Sequence, residues 1–183
     1  MTVVDDRVIE LFERLEVPEG YKAELLRGEI VMMAGPDWVH NVIVQAVADQ
    51  IPADRWHRLQ TQDIAIPGEA SEPEPDLVVH ERGAFEGPGR LVPAPALTLV
   101  VEVVSRTSVD RDYRVKRSMY AAGRIPAYLL IDPLAGRCVL FTEPAGEGEA
   151  ADYRVERTTK FGEPMPVDVL GVSLETVEFR TLT

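Results

Sequence analysis

Apolar residues recur at helical spacing from Asp5 to Val17, where Val8, Leu11, Phe12 and Leu15 form a stripe that Pro18 and Gly20 end. A hairpin pattern follows: Tyr21 to Leu26, a turn at Arg27-Gly28, and Glu29 to Met33, broken by Gly35-Pro36. Asp37 opens a second helix with Val39, Val42, Ile43, Ala46 and Val47 on its buried side, and Pro52 closes it. Trp56 to Ile66 reads as one or two strands. Proline-stiffened SEPEP then leads to Asp76 at the mouth of the apolar run Leu77-Val78-Val79. Glu81 to Pro95, rich in Gly and Pro, reads as a surface loop. The strongest strand signal is Leu97 to Val104, almost continuously apolar and β-branched, as a strand buried on both faces should be. A helix over about Asp110 to Ala122 comes next, with Gly123 as its expected C-terminal cap. Strands are expected at Ala127 to Ile131, Arg137 to Thr142 and Tyr153 to Thr158. This order predicts an α/β (α+β) fold with a central mixed sheet flanked by helices, preceded by an N-terminal helix and a β-hairpin.

At 183 residues the chain suits one domain over 1–183, with its core at about 21–171 and the N-terminal helix in 1–20. A composition that is 45% hydrophobic and 27% charged excludes a disordered or fibrous chain. Nothing approaches the ~20 consecutive apolar residues of a membrane span. MTVVDDRVIE lacks the basic start and apolar centre of a secretory signal. The single cysteine, Cys138, excludes an internal disulfide framework and a cysteine-rich zinc site; cytoplasmic location is expected. A net charge of −12 argues against a protein that coats nucleic acid with positive charge. It leaves room for a local basic groove, or for an acidic site that takes a metal before it meets an anion.

Glu102 is the first candidate for chemistry. Its carboxylate sits in the most apolar strand of the chain, so it needs a charge partner, a metal or an exit to a cleft. A plain salt bridge to an arginine would also satisfy it. Asp76 opens the neighbouring apolar run, either as a turn or capping aspartate or as a second acid converging on the same point. Hard divalent cations take one or two such carboxylates, with water and phosphate completing the shell. Between Arg106 and Arg124, six basic residues stand against two acidic ones. Such a helix is either an ordinary solvated face or a phosphate-facing surface. Lys116 lies four residues after Asp112, which allows a helix ion pair; its other role is to reach the acidic strand. Trp38 and Trp56 read as packing residues, and Tyr113 and Tyr120 either pack in the core or touch a ligand.

Together Glu24, Arg27-Gly28-Glu29, His40, Pro75-Asp76-Leu77, Val101 to Ser105, Asp112, Lys116, Tyr120, Ile125 to Tyr128 and Ile131-Asp132-Pro133 resemble the Uma-type restriction endonuclease family, a bacterial domain family. The likeness runs from about Tyr21 through Asp132 and more loosely to Leu170-Gly171. It implies a restriction-endonuclease-like fold of the PD-(D/E)XK type and a metal-dependent endonuclease that hydrolyses nucleic-acid phosphodiesters. Carried over, Asp76 and Glu102 are the metal carboxylates, Lys116 assists, and Glu24 is the acid preceding the core sheet. The pattern departs at Val104, where the superfamily motif has lysine; the lysine has moved to the following helix as Lys116. His40, Arg111, Arg114 and Arg117 are candidate nucleic-acid contacts. The implied cofactor is Mg2+ or Mn2+, the implied substrate nucleic acid, DNA first, and the implied assembly a homodimer, with no membrane partner. A catalytically silent binding or assembly module, and a metal-dependent hydrolase of a small phosphoester, are the competing readings.

Overall fold

The computed structural model describes residues 3–182. Helix α1 (Val3–Glu13) leads into a hairpin of β1 (Tyr21–Leu26) and β2 (Glu29–Ala34), and then into α2 (Trp38–Gln50). Next come β3 (Trp56–Leu59), β4 (Ile64–Ala65), β5 (Leu77–Glu81), β6 (Val92–Pro93) and β7 (Leu99–Val103). A π-helical turn (Arg111–Lys116) runs directly into α3 (Arg117–Ala122). The chain continues through β8 (Ala127–Asp132), β9 (Arg137–Ala145), β10 (Asp152–Lys160), β11 (Met165–Val167) and β12 (Val172–Leu174).

Six strands form one sheet in the order β10-β9-β8-β7-β5-β3. β7 and β8 pair in parallel and the other neighbours are antiparallel, so the sheet is mixed and its two parallel strands lie at its centre. This is the expected fold class. Strand alternation divides the sheet's side chains between two cores. Leu77, Val79, Leu99, Val101, Leu129 and Ile131 pack on α2 and the C-terminal strands. Val78, Val100, Tyr128, Leu130, Val139 and Phe141 pack beneath α3. Glu102 has the parity of Val100 and so points into the second layer.

The hairpin turns as its sequence requires. Arg27 and Gly28 both have positive φ (51° and 81°), the left-handed pair of a tight two-residue turn whose twist matches its strands. Other local expectations are corrected. The first helix stops at Glu13, and Leu11, expected in its buried stripe, is 60% exposed. In α2 the buried side is Ile43, Val44, Val47 and Ala48, so the stripe is rotated from the one expected through Val42. The segment 56–66 splits between β3 at the edge of the main sheet and β4, which pairs with β6 inside the expected 81–95 loop. Gly123 is the C-cap of the last helix, as expected, with its N–H bonded to the Met119 carbonyl, and the following Arg124 takes the left-handed conformation at φ 59°. Gly123 is needed for space, since a Cβ there would stand 3.0 Å from the Ala94 Cβ. Trp56 is buried, but Trp38 is 67% exposed and not a packing residue. No helix of the described residues is long and apolar enough to cross a membrane.

Candidate active site

Strand register decides whether the two acids meet. β5 and β7 pair Leu77 with Val101, Val78 with Val100 and Val79 with Leu99. The ladder ends at Leu77 and Val101, so Asp76, the residue before Leu77, lies at the strand end on the Glu102 side. The Val103 amide donates to Asp76 Oδ2 at 2.8 Å, which fixes the Asp76 carboxylate against the Glu102–Val103 peptide. Asp76 Oδ1 lies 3.0 Å from His40 Nε2, presented by the first turn of α2, and 3.8 Å from Lys22 Nζ.

Lys116 reaches the same place from the helix. The wider π turn aligns Asp112, Lys116 and, in the following α-turn, Tyr120 along the buried side. Such turns are rare and recur at functional sites. Lys116 Nζ, 2% exposed, donates to Glu102 Oε1 at 2.7 Å and to Glu24 Oε1 at 2.9 Å. The Tyr120 hydroxyl donates to the same Glu102 oxygen. Glu102 Oε2 makes no hydrogen bond to the described residues. Glu24 Oε1 also accepts the Glu74 amide at 2.9 Å, while its Oε2 is buried with no hydrogen-bond partner.

Charge is unevenly distributed over these acids. Burial raises Glu102 most; Lys116 opposes that shift, but Asp76, Asp112 and Glu24 add to it, and its pKa is pushed up to about 8. Asp112 is raised too, first by burial. Burial also works against ionised Glu24 and Asp76, but Lys116 and Lys22 around the first, and His40 with both lysines around the second, outweigh it and hold both below the usual carboxylate range. Lys116 is raised: burial works against its charge, and the surrounding acids, Glu102 foremost, more than reverse it. The site is thus a protonated lysine within an excess of acid, and of its acids Glu102 is pushed furthest towards holding its proton.

Those donors suit a hard divalent cation better than a soft one, because they are carboxylates. Among the described residues no three or more His, Cys, Asp or Glu side chains converge as a ready-made cage. Asp76 and Glu102, with the unbonded Glu102 oxygen and the orphaned Glu24 oxygen beside them, match the one or two carboxylates that Mg2+ takes while water and phosphate fill the rest.

Of the residues singled out from sequence, Glu24, His40, Asp76, Glu102 and Lys116 come together. The arginines do not join them. Arg111 lies at 3.4 Å from Met33 Sδ, and Arg114 pairs with Asp110 on the exposed side of the π turn. Arg117 clamps Asp152 with two nitrogens, at 2.6 and 3.0 Å, and lies over the Phe141 ring. Lys116 forms no ion pair with Asp112, whose carboxylate accepts from Ser108 instead. Tyr113 donates to Asp132. Sequence reasoning missed Lys22, although it shares a strand face with Glu24 two residues on.

Comparison with known proteins agrees with this arrangement of elements. The family profile described as "Putative restriction endonuclease" matches residues 9–177. The chain belongs to that family. Among solved structures, a protein of Anabaena variabilis described as a "putative nuclease belonging to DUF820" superposes with a TM-score of 0.72 at 14% identity, over 93% of this chain and 96% of its own. That likeness shows a shared fold. No curated protein matches the chain.

Proposed function

We propose that this member of the family is a divalent-cation-dependent endonuclease that hydrolyses phosphodiester bonds of nucleic acid, DNA in the first instance. Asp76 and Glu102 are the cation's carboxylates. The observation that supports this most is the buried Lys116 held between Glu102 and Glu24 beside Asp76. A lysine so placed against acids of the central sheet and of the hairpin is an arrangement suited to acting on a phosphate.

Bound Mg2+ or Mn2+ would lower the pKa of a water and neutralise charge on the phosphoryl group. The chain's own groups prepare that chemistry. Lys116 and Tyr120 both hold Glu102 Oε1, so Oε2 is the oxygen that would be left for a cation. Val103 N–H and His40 orient Asp76, so His40 is a positioning residue. Lys116, kept charged by its acids, donates towards negative charge developing on the phosphate oxygens. Glu24 is the counter-charge that keeps Lys116 in place.

No base-reading surface is invoked, and the protein is expected to cut without sequence preference. A homodimer, which would bring two sites to two strands, and a cytoplasmic location complete the reading as a single catalytic domain. The test is incubation with supercoiled plasmid and Mg2+ or Mn2+. Nicking by the wild type and none by Glu102→Ala or Lys116→Ala supports the proposal. Equal nicking by Glu102→Ala overturns this site, and no cleavage of any nucleic acid leaves the silent-module reading standing.

A further inference from the structure

A surface cleft lies beside these acids. It holds about 480 Å3 between the end of α1, the outer edge of β1 and the segment around Asp63, within the size range of small-molecule sites. Its lining includes Lys22 and Glu74. Lys22 Nζ bonds the Glu74 carbonyl at 3.2 Å while standing 3.8 Å from Asp76 Oδ1, and the Glu74 amide donates to Glu24. A ligand in the cleft with a phosphate at Asp76 would therefore pass Lys22.

The lining has the chemistry of one ligand class. Phe12 and Tyr21 supply flat apolar surface, and the Tyr21 ring is 54% exposed without packing to account for it. The Arg90 guanidinium closes over Phe12, its centre 5.9 Å from the ring centroid, and is anchored by Asp63 at 2.7 Å. Glu74 lines the cleft, and its carboxylate accepts no hydrogen bond among the described residues. Aromatic surface with a free acid at its edge suits a nucleobase: the ring stacks and an exocyclic amino group donates to the carboxylate. Glu13, Asp63 and Glu74 stand against Lys22 and Arg90 in the lining, and Arg90 is already tied to Asp63 and Glu72, so the cleft favours the base end of a nucleotide over its phosphate.

We infer that this cleft receives an unpaired base of the strand being cut, next to the phosphate held at Asp76 and Glu102. The inference rests on the proposed nuclease reading and sharpens its substrate class. A base inside a duplex cannot enter such a cleft, so the preferred substrate is single-stranded or locally unpaired nucleic acid.

The test uses the full chain with both carboxylates intact and Ca2+ in place of Mg2+ or Mn2+, over a time in which gel analysis shows the strand uncut. Fluorescence anisotropy compares a short labelled single strand with the same sequence as duplex. Tyr21→Ala is expected to weaken single-strand binding on the order of tenfold and Tyr21→Phe to leave it unchanged, with duplex binding the same in all three. Because Tyr21 is exposed, an unchanged Tm separates this loss from unfolding. Undiminished single-strand binding by Tyr21→Ala overturns the inference and leaves the nuclease reading intact. Binding of neither strand nor duplex overturns both. A mononucleotide that competes as tightly as the strand would assign the cleft to free nucleotides and overturn the strand assignment.

Discussion

Lys116 and Arg117 are consecutive, yet they live in opposite environments. Lys116 turns inward, is 2% exposed and is held by Glu102 and Glu24. Arg117 turns outward to Asp152 and Glu156 on β10, along a groove that also contains Arg27 and Arg114 with Asp110 and Glu149. In sequence both belong to one basic stretch. In the fold one is sequestered from water among acids, and the other is a partly buried cation at the surface, already neutralised by carboxylates of its own chain. A dense run of positive charge therefore says little about where phosphate binds; burial and unequal pairing say more.

The two regions should respond very differently to mutation. Lys116→Met leaves Glu102 and Glu24 buried without their donor and is expected to cost about 3–5 kcal/mol of stability, measured by urea unfolding. Adding Glu102→Gln to it should recover part of that loss, because fewer charges remain stranded; a fully additive double variant would break the comparison. Tyr120→Phe removes one of two donors to Glu102 Oε1 and should cost about 1–2 kcal/mol. Arg117→Ala, at the outer pair, should cost about 1 kcal/mol or less, and that small loss should shrink further in high salt.

Cys138 marks the quiet end of the scale. Burial alone pushes its thiol up to about 12 from an ordinary 9.0. Thiol reagents at pH 8 should label it only through unfolding. The folded state keeps this proton while the unfolded chain gives it up, so the thiol's contribution to stability is constant below about pH 9. It then falls as pH rises towards 12. Rapid labelling of the native protein would show that β9 opens locally.

Much of the site was legible because chemistry and pattern disagreed locally. Glu102 stood out as an acid in the most apolar strand, and Asp76 as an acid at the mouth of its neighbour. Their meeting is a matter of register, which follows from pairing across 25 residues of sequence and leaves no local mark. The family resemblance pointed to Lys116, but periodicity read its helix as α throughout. The π turn that sends Asp112, Lys116 and Tyr120 inward depends on tertiary contacts that propensity does not encode. The exposed face of α1 was misread for the same reason: a helical stripe predicts an apolar side, not the presence of something to cover it. Lys22 was overlooked because a lysine on a hairpin is ordinarily solvated.

In the proposed function Asp76 and Glu102 act on one divalent cation beside Lys116. Isothermal titration of Mn2+ into the wild type, Glu102→Gln and Asp76→Asn tests it without relying on any substrate. Saturable binding by the wild type, weakened at least tenfold in each variant while all three stay folded, is the predicted result. Equal Mn2+ binding in the three proteins would contradict it.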